Sequence, residues 1–160
     1  MYHDRRSRLH LTVSVERPEP QAELCLIWTV FNRGSRPIHV GLPGLLLRDG
    51  RRLPAQNDWS PPQVGLQLGV NYSYVRSGEF DLPAGQPDRV CRFVRNIVEH
   101  LRSEGFEKGA VDVRPFIRYG EDRVRHADDW WQVDLKAANA RPLKRSRPRR
   151  VAAKARRVFR

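Results

Sequence analysis

The sequence predicts an all-β domain, an antiparallel β-sandwich of seven or eight short strands with a single helix. Three observations lead there. Apolar residues recur with a period of two in several separate stretches, clusters of Gly, Pro, Asn and Asp punctuate them at short intervals, and only one stretch changes to a helical period.

The first strand is read from Leu9, Leu11, Val13 and Val15, which alternate with His10, Thr12, Ser14 and Glu16. That spacing turns one face inward and the other toward water. Glu23 to Phe31 is apolar on both faces, with Leu24, Leu26, Trp28 and Val30 opposite Cys25, Ile27, Thr29 and Phe31. A strand of this kind belongs in the middle of a sheet or under cover on both sides. Asn32-Arg33-Gly34-Ser35 is turn chemistry, and Ile38-His39-Val40 resumes the extended chain after Pro37. Leu45 to Arg48, Asp49-Gly50 and Arg51 to Leu53 read as a hairpin closed by a type I′ turn, which Asp-Gly accommodates.

Residues 54 to 63 form the longest irregular loop, followed by the cleanest alternation in the chain, Val64, Leu66, Leu68, Val70, Tyr72 and Tyr74. After the turn Leu82-Pro83-Ala84-Gly85 the period changes. Val90, Val94, Ile97, Val98 and Leu101 share one helical face, with Arg92, Arg95, Glu99 and Arg102 opposite. The spacing predicts a crossover helix over about residues 87–103, with Pro87 in its first turn and Gly105 as its terminator. Val111, Val113, Ile117 and Tyr119 give a further strand, Gly120-Glu121-Asp122 a turn, Arg123 to Arg125 its return, and Trp130 to Leu135 the last strand.

Charge divides the chain in two. It has 160 residues with 30 Lys+Arg against 18 Asp+Glu, a formal net charge of +12. Eleven of those basic residues and no acidic one lie after Leu135, so residues 1–135 carry only +1. The boundary is drawn there: a β-sandwich domain over 1–135 and a basic tail over 136–160. The tail has little apolar area to bury and repels itself, so it is expected to be disordered alone. Arg141, Lys144, Arg145, Arg147, Arg149, Arg150, Lys154, Arg156, Arg157 and Arg160 form a dense cationic segment suited to a polyanion. Guanidinium forks match phosphate oxygens, and Phe159 is the only ring after Trp131, so contacts would follow the nucleic-acid backbone and not the bases. An acidic protein surface fits the same charge.

Catalytic signatures are missing. There is no Gly-x-Ser-x-Gly elbow, phosphate loop, dinucleotide fingerprint or calcium-loop spacing, and His3, His10, His39, His100 and His126 never pair at zinc-ligand spacing. No cofactor and no metal site is expected. His126 and Asp128 would share a face if extended, the one base-and-orienter arrangement on offer, although Asp128-Asp129 also reads as a solvated turn. Cys25 and Cys91 are expected as free thiols in a reducing cytosol. No stretch is long and apolar enough to span a bilayer, and the first residues lack the apolar core of a signal peptide, which places the protein in the cytoplasm. Trp130 and Trp131 are adjacent, so their rings take opposite faces and at most one enters the same core. The other, together with Trp59 in its Asn-Asp-Trp-Ser-Pro-Pro loop, is a candidate protein-interface anchor.

The run Trp28-Thr29-Val30-Phe31-Asn32-Arg33-Gly34-Ser35-Arg36-Pro37-Ile38, then Leu47-Arg48-Asp49-Gly50-Arg51, then Leu82-Pro83-Ala84-Gly85 resembles small immunoglobulin-like domains of uncharacterised bacterial proteins. The resemblance covers about residues 9 to 126 and implies a fold, with no activity. Antibody-type domains also carry a Trp some dozen residues after the first cysteine and a Tyr two before the second. Those places hold His39 or its neighbours and Arg89, so the Cys25–Cys91 spacing does not indicate an immunoglobulin disulfide.

Together these features predict a non-enzymatic interaction module whose tail holds nucleic acid without sequence specificity. The alternative is a structural or adaptor subunit of a larger assembly, its tail docked on an acidic neighbour.

Overall fold

The computed structural model describes residues 8–17, 23–54 and 79–143. Among these, the chain is mostly antiparallel β-structure with one helix. A three-stranded sheet has the order β1 (Leu9–Glu16), β2 (Cys25–Asn32) and β6 (Pro87–Phe93). The larger sheet is built on β3 (Ile38–Leu47) and β7 (Ala110–Tyr119), joined by β4 (Arg52–Pro54), β5 (Phe80–Leu82), β8 (Arg123–His126), β9 (Trp131–Asp134) and β10 (Asn139–Pro142). Leu9, Leu11, Leu26, Trp28, Val30 and Val90 from the small sheet share one core with Val40, Leu45, Val113, Ile117, Trp131 and Val133 from the large one.

β1 occupies the span its alternation predicts, with Leu9 and Leu11 buried. β2 is central, hydrogen-bonded to β1 on one side and β6 on the other, which explains its apolar residues on both faces. Its inner residues Leu26, Trp28 and Val30 enter the shared core. Its outer residues Cys25 and Ile27 form a second buried cluster with Cys91 and Phe93 of β6. Both cysteines are free and buried. A hydrogen bond with the Cys25 thiol, together with burial, pushes the Cys91 thiol up and keeps it protonated.

The helix starts later than its periodicity predicts. Residues 87–93 form β6, paired with β2 from Phe31↔Pro87 to Cys25↔Phe93, and the helix α1 is Val94–Ser103. Seven residues of pairing against a central strand outweigh a helical pattern that Val90 only extends by coincidence. The correction moves Arg92 from an exposed helix face into the fold. It is 2% exposed, its Nη1 donates to the Cys91 carbonyl at 2.8 Å, and burial lowers its pKa to about 10. Within α1 the expected apolar face holds, with Val94, Ile97, Val98 and Leu101 buried. Gly105 ends the helix at φ +103°, and two bonds, Phe106 N–H to Leu101 O and Gly105 N–H to Arg102 O, give the Schellman pattern.

The Asp49-Gly50 hairpin forms between β3 and β4, but its turn differs from the type I′ expected. Only Gly50 has a positive φ, +91°, and Leu47 exchanges bonds with Gly50 and Arg51. This is a three-residue loop whose last position needs the left-handed conformation. In β3 the register shifts between Val40 and Pro43 against β7, a bulge that admits a proline into a strand paired on both edges. Pro115 divides the other edge of β7. Its carbonyl accepts from Ala127 N–H, so its nitrogen faces the same side, where no N–H is available to extend the ladder. There the neighbouring chain leaves β8 and resumes as β9.

The expected domain boundary at Leu135 also moves. Residues 135–138 turn the chain, with Ala138 at φ +50°, and β10 returns along β9 from Asn139↔Asp134 to Pro142↔Trp131. The described fold runs to Leu143, so Arg141 stands in a strand and not in a free tail. The strand expected over 64–74 lies outside the described residues.

Candidate functional site

The two ends of the described β-structure differ, and one of them offers a cleft. At one end α1 follows β6 and packs beside β10 and the start of β2. Val94 N–H donates to Leu24 O at 3.0 Å, and Arg102 Nη2 donates to Leu135 O at 3.1 Å. Apolar helix side chains seal the core there.

The opposite end is made of loops, where β2 ends, β3 begins, β7 ends and β8 begins. Asn32, 0% exposed, organises it. Its Nδ2 donates to Arg36 O at 2.7 Å and to Leu82 O at 3.0 Å, while its Oδ1 accepts Gly34 N–H at 2.9 Å. Its backbone adds bonds to Gln86 O and from Gly85 N–H. One amide thus ties the 33–36 turn to the 83–86 turn. Arg33 N–H donates to Arg8 O at 2.8 Å, and Gly120 N–H donates to His39 O at 2.8 Å, which fixes the remaining walls.

This frame borders an open cleft of about 850 Å³ lined by Arg8, Arg36 and Arg123, with Glu121 the single carboxylate among the described lining residues. The stem of Arg8 lies over the turn, and a Cβ on Gly34 would come within 3.2 Å of Arg8 Cδ. Among the described residues the guanidinium groups of Arg36 and Arg123 meet no carboxylate within ion-pair distance. His39, on the rim, bonds Asp81 Oδ1 through Nδ1 at 3.0 Å and lies 3.4 Å from Glu79 Oε2 through Nε2. Those two carboxylates raise its pKa above the ordinary histidine value.

The sequence-predicted residues fall elsewhere. Lys144, Arg145, Arg147, Arg149, Arg150, Lys154, Arg156, Arg157, Arg160 and Trp59 lie outside the described residues. Arg141 projects from β10 and donates to Gln132 Oε1 on β9 from Nε and Nη2, at 3.3 and 2.9 Å. The two adjacent tryptophans divide as strand geometry requires. Trp131 is 5% exposed in the core, which removes it as an interface anchor, and Trp130 is half-buried with the Arg48 guanidinium 3.9 Å from its ring centroid.

Among the described residues, His126 and Asp128 line no common cleft. The His126 ring lies 5.9 Å from that of Phe116, with Nε2 buried and unpartnered. Asp128 lines a different groove of about 570 Å³ beside β1 and β10. Burial, then the charges of Arg114 and Arg52, push the His126 pKa down, and no carboxylate supports its protonated form. Among the described residues no group of His, Cys, Asp and Glu could hold a metal ion, and no helix is long and apolar enough to cross a membrane. Set against protein families, curated proteins and solved structures, the chain matches none of them.

The cleft arginines escaped the sequence reading because they come from three separate places in the chain. The available signal was their position beside turns, Arg33-Gly34-Ser35-Arg36 and Gly120-Glu121-Asp122-Arg123.

Proposed function

We propose that the protein is a non-enzymatic interaction module of the cytoplasm, an immunoglobulin-like β-sandwich whose Arg-rich C-terminal segment holds nucleic acid through the phosphate backbone. The observation that carries this reading is charge segregation. Beyond Leu143 lie nine of the 30 basic residues and none of the 18 acidic ones, so the preceding residues hold 21 basic against 18 acidic, +3, and the last segment +9. A segment of that density releases counterions when it meets a polyanion, and it carries no rings suited to reading bases apart from Phe159.

The edge strand β10 supports it. Leu143 N–H donates to Trp130 O at 2.8 Å, so the basic segment starts from a fixed point on the sheet. The test compares the full chain with a full-length variant in which Arg145, Arg147, Arg149 and Arg150 are glutamine. On double-stranded DNA, loss of four phosphate contacts should flatten the log–log salt slope by about 3.6. Identical slopes for both proteins would reject the reading.

A second reading, an adaptor subunit docked on an acidic neighbour, draws on Trp130, the half-buried ring under Arg48. An adaptor would lose its partner on Trp130→Ala and keep it after tail neutralisation, and the opposite pattern in a pulldown would exclude it.

A further inference from the structure

We infer that the free edge of β1 is a self-association site, where a second copy of this chain pairs with it strand to strand about a two-fold axis at Val13. No residue of the basic tail takes part, so this pairing and the nucleic-acid reading stand or fall separately.

Backbone direction comes first. Arg33 N–H donates to Arg8 O at 2.8 Å, and the β1–β2 register continued past Leu9↔Asn32 sets Arg8 directly opposite Arg33, so the two form a hydrogen-bonded pair. Bonded and non-bonded pairs alternate along an antiparallel ladder. His10, Thr12, Ser14 and Glu16 therefore turn their N–H and C=O groups toward β2, while Leu11, Val13 and Val15 turn theirs to the open side. Among the described residues β1 pairs with β2 alone. The pairing runs unbroken from Leu9↔Asn32 to Glu16↔Cys25, so no bulge twists this edge away. Leu11 to Val15 holds no proline, glycine or charged residue that would deter a new strand.

Two other edges are blunted. On β10 the bond from Leu143 N–H to Trp130 O marks the side facing β9 and leaves Ala140 and Pro142 turned outward. Asn139 Oδ1 already accepts Ala140 N–H at 2.8 Å, and Pro142 has no N–H to give. On β6 the bond from Asn32 N–H to Gln86 O leaves Pro87, Arg89 and Cys91 turned outward. Pro87 lacks the donor, Asp88 Oδ1 accepts Arg89 N–H at 2.7 Å, and Cys91 O accepts from Arg92 Nη1 at 2.8 Å. Of these three described edges, β1 alone keeps its donors and acceptors for a further strand.

The order of side chains along β1 favours a second copy over a foreign strand. A groove of about 570 Å³ runs beside the edge, and β1 contributes Leu11, Thr12, Val13, Ser14 and Val15 to it. That stretch centres on Val13, which sets the two-fold. Leu11 then lies opposite the second copy's Val15, and Val13 opposite its counterpart, on the face where Val13 and Val15 are still half-buried. On the other face Thr12 meets the second copy's Ser14, and His10 meets its Glu16, and the symmetry repeats each pair. Apolar stands against apolar, hydroxyl against hydroxyl and histidine against carboxylate, the pairings that stabilise neighbouring strands. Among the described residues neither His10 nor Glu16 has an ion-pair partner in its own chain. A foreign strand would satisfy the same backbone groups without this self-complementary order.

Sedimentation velocity of the full chain, freed of nucleic acid and run at rising concentration, should show a monomer–dimer equilibrium. Thr12→Lys with Ser14→Lys sets like charges directly opposite in both halves of the pairing, on the face of β1 turned away from the shared core. It should weaken the dimer about tenfold and leave the circular dichroism spectrum unchanged. A second measurement reads the register. Thr12 and the second copy's Ser14 would form a non-hydrogen-bonded pair with Cα atoms about 4.5 Å apart, within disulfide reach. An equal mixture of Thr12→Cys and Ser14→Cys chains should therefore cross-link under mild oxidation several times more than either variant alone. A chain that stays monomeric at every concentration overturns the proposal and leaves the edge to an extended segment of another protein. So does a dimer that the two lysines do not weaken, or one that cross-links no better in the mixture than in either variant alone.

Discussion

The helix-closed end and the loop end of this protein solve the same problem, the exposure of a core between two sheets, by different chemistry. At the first, α1 lays Val94, Ile97, Val98 and Leu101 over the core and keeps Arg95, Glu99 and Arg102 outside. At the second, no helix intervenes among the described residues, and a buried amide with its hydrogen bonds does the closing. Apolar closure leaves a smooth cap. Polar closure leaves loops that surround the arginine-lined cleft.

The largest effect should come from the apolar end. Leu101→Ala removes a fully buried side chain and should lower unfolding stability by about 3 kcal/mol, read from urea denaturation. A loss below about 1 kcal/mol would mean that the helix is not needed to close the core. At the loop end Asn32→Ala leaves the Arg36 and Leu82 carbonyls and the Gly34 N–H without their partner, at a cost of about 2 kcal/mol. It should also move the Gly34 and Ser35 amide resonances, while Leu101→Ala leaves them in place. If Asn32→Ala left the Gly34 and Ser35 amides unmoved, the amide would not be the organiser of that end.

A smaller effect is expected at the helix terminator. Gly105→Ala puts a Cβ on a residue at φ +103° with open space around it, so only backbone strain acts, about 1 kcal/mol. A neutral result would show that the chain after Ser103 relaxes without cost.

The smallest effect is in pH, and it has opposite signs at two histidines. His39 is raised above its ordinary 6.5 by Asp81 and Glu79, so its contribution is complete below about 6.5 and is lost as pH rises through its folded value. His126 is lowered by burial and by Arg114 and Arg52, so its contribution is complete above about 6.5 and is lost as pH falls toward its folded value. Ring-proton NMR titration should place His39 above 6.5 and His126 below it. His39→Gln should destabilise more at pH 5.5 than at pH 8.5, and a uniform change would sever His39 from its carboxylates.

Much of the fold was legible locally. Leu9 to Glu16 reads as a strand because alternation is a property of neighbours, and Gly105 reads as a terminator because its conformation is excluded to most other residues. The helix start was misread because Val90 fits a helical face equally well as an inward strand position, and only pairing with β2 decides between them. The short β5 and β10 were missed because three or four residues hold no period worth reading. Charge segregation was plain in the sequence, but its boundary was drawn eight residues early because β10 exists only through β9.

The sequence by itself determined the strand-rich class, the apolar face of the helix, the positions of the turns and the concentration of positive charge after residue 135. Those follow from the spacing and chemistry of residues close in the chain. The tertiary structure alone decided that Arg92 and Cys91 are buried, that Asp128 lines a groove without His126, and that Arg8, Arg36 and Arg123 line one cleft. Each depends on which strands pair and in what register, and one residue of register turns every side chain to the other face.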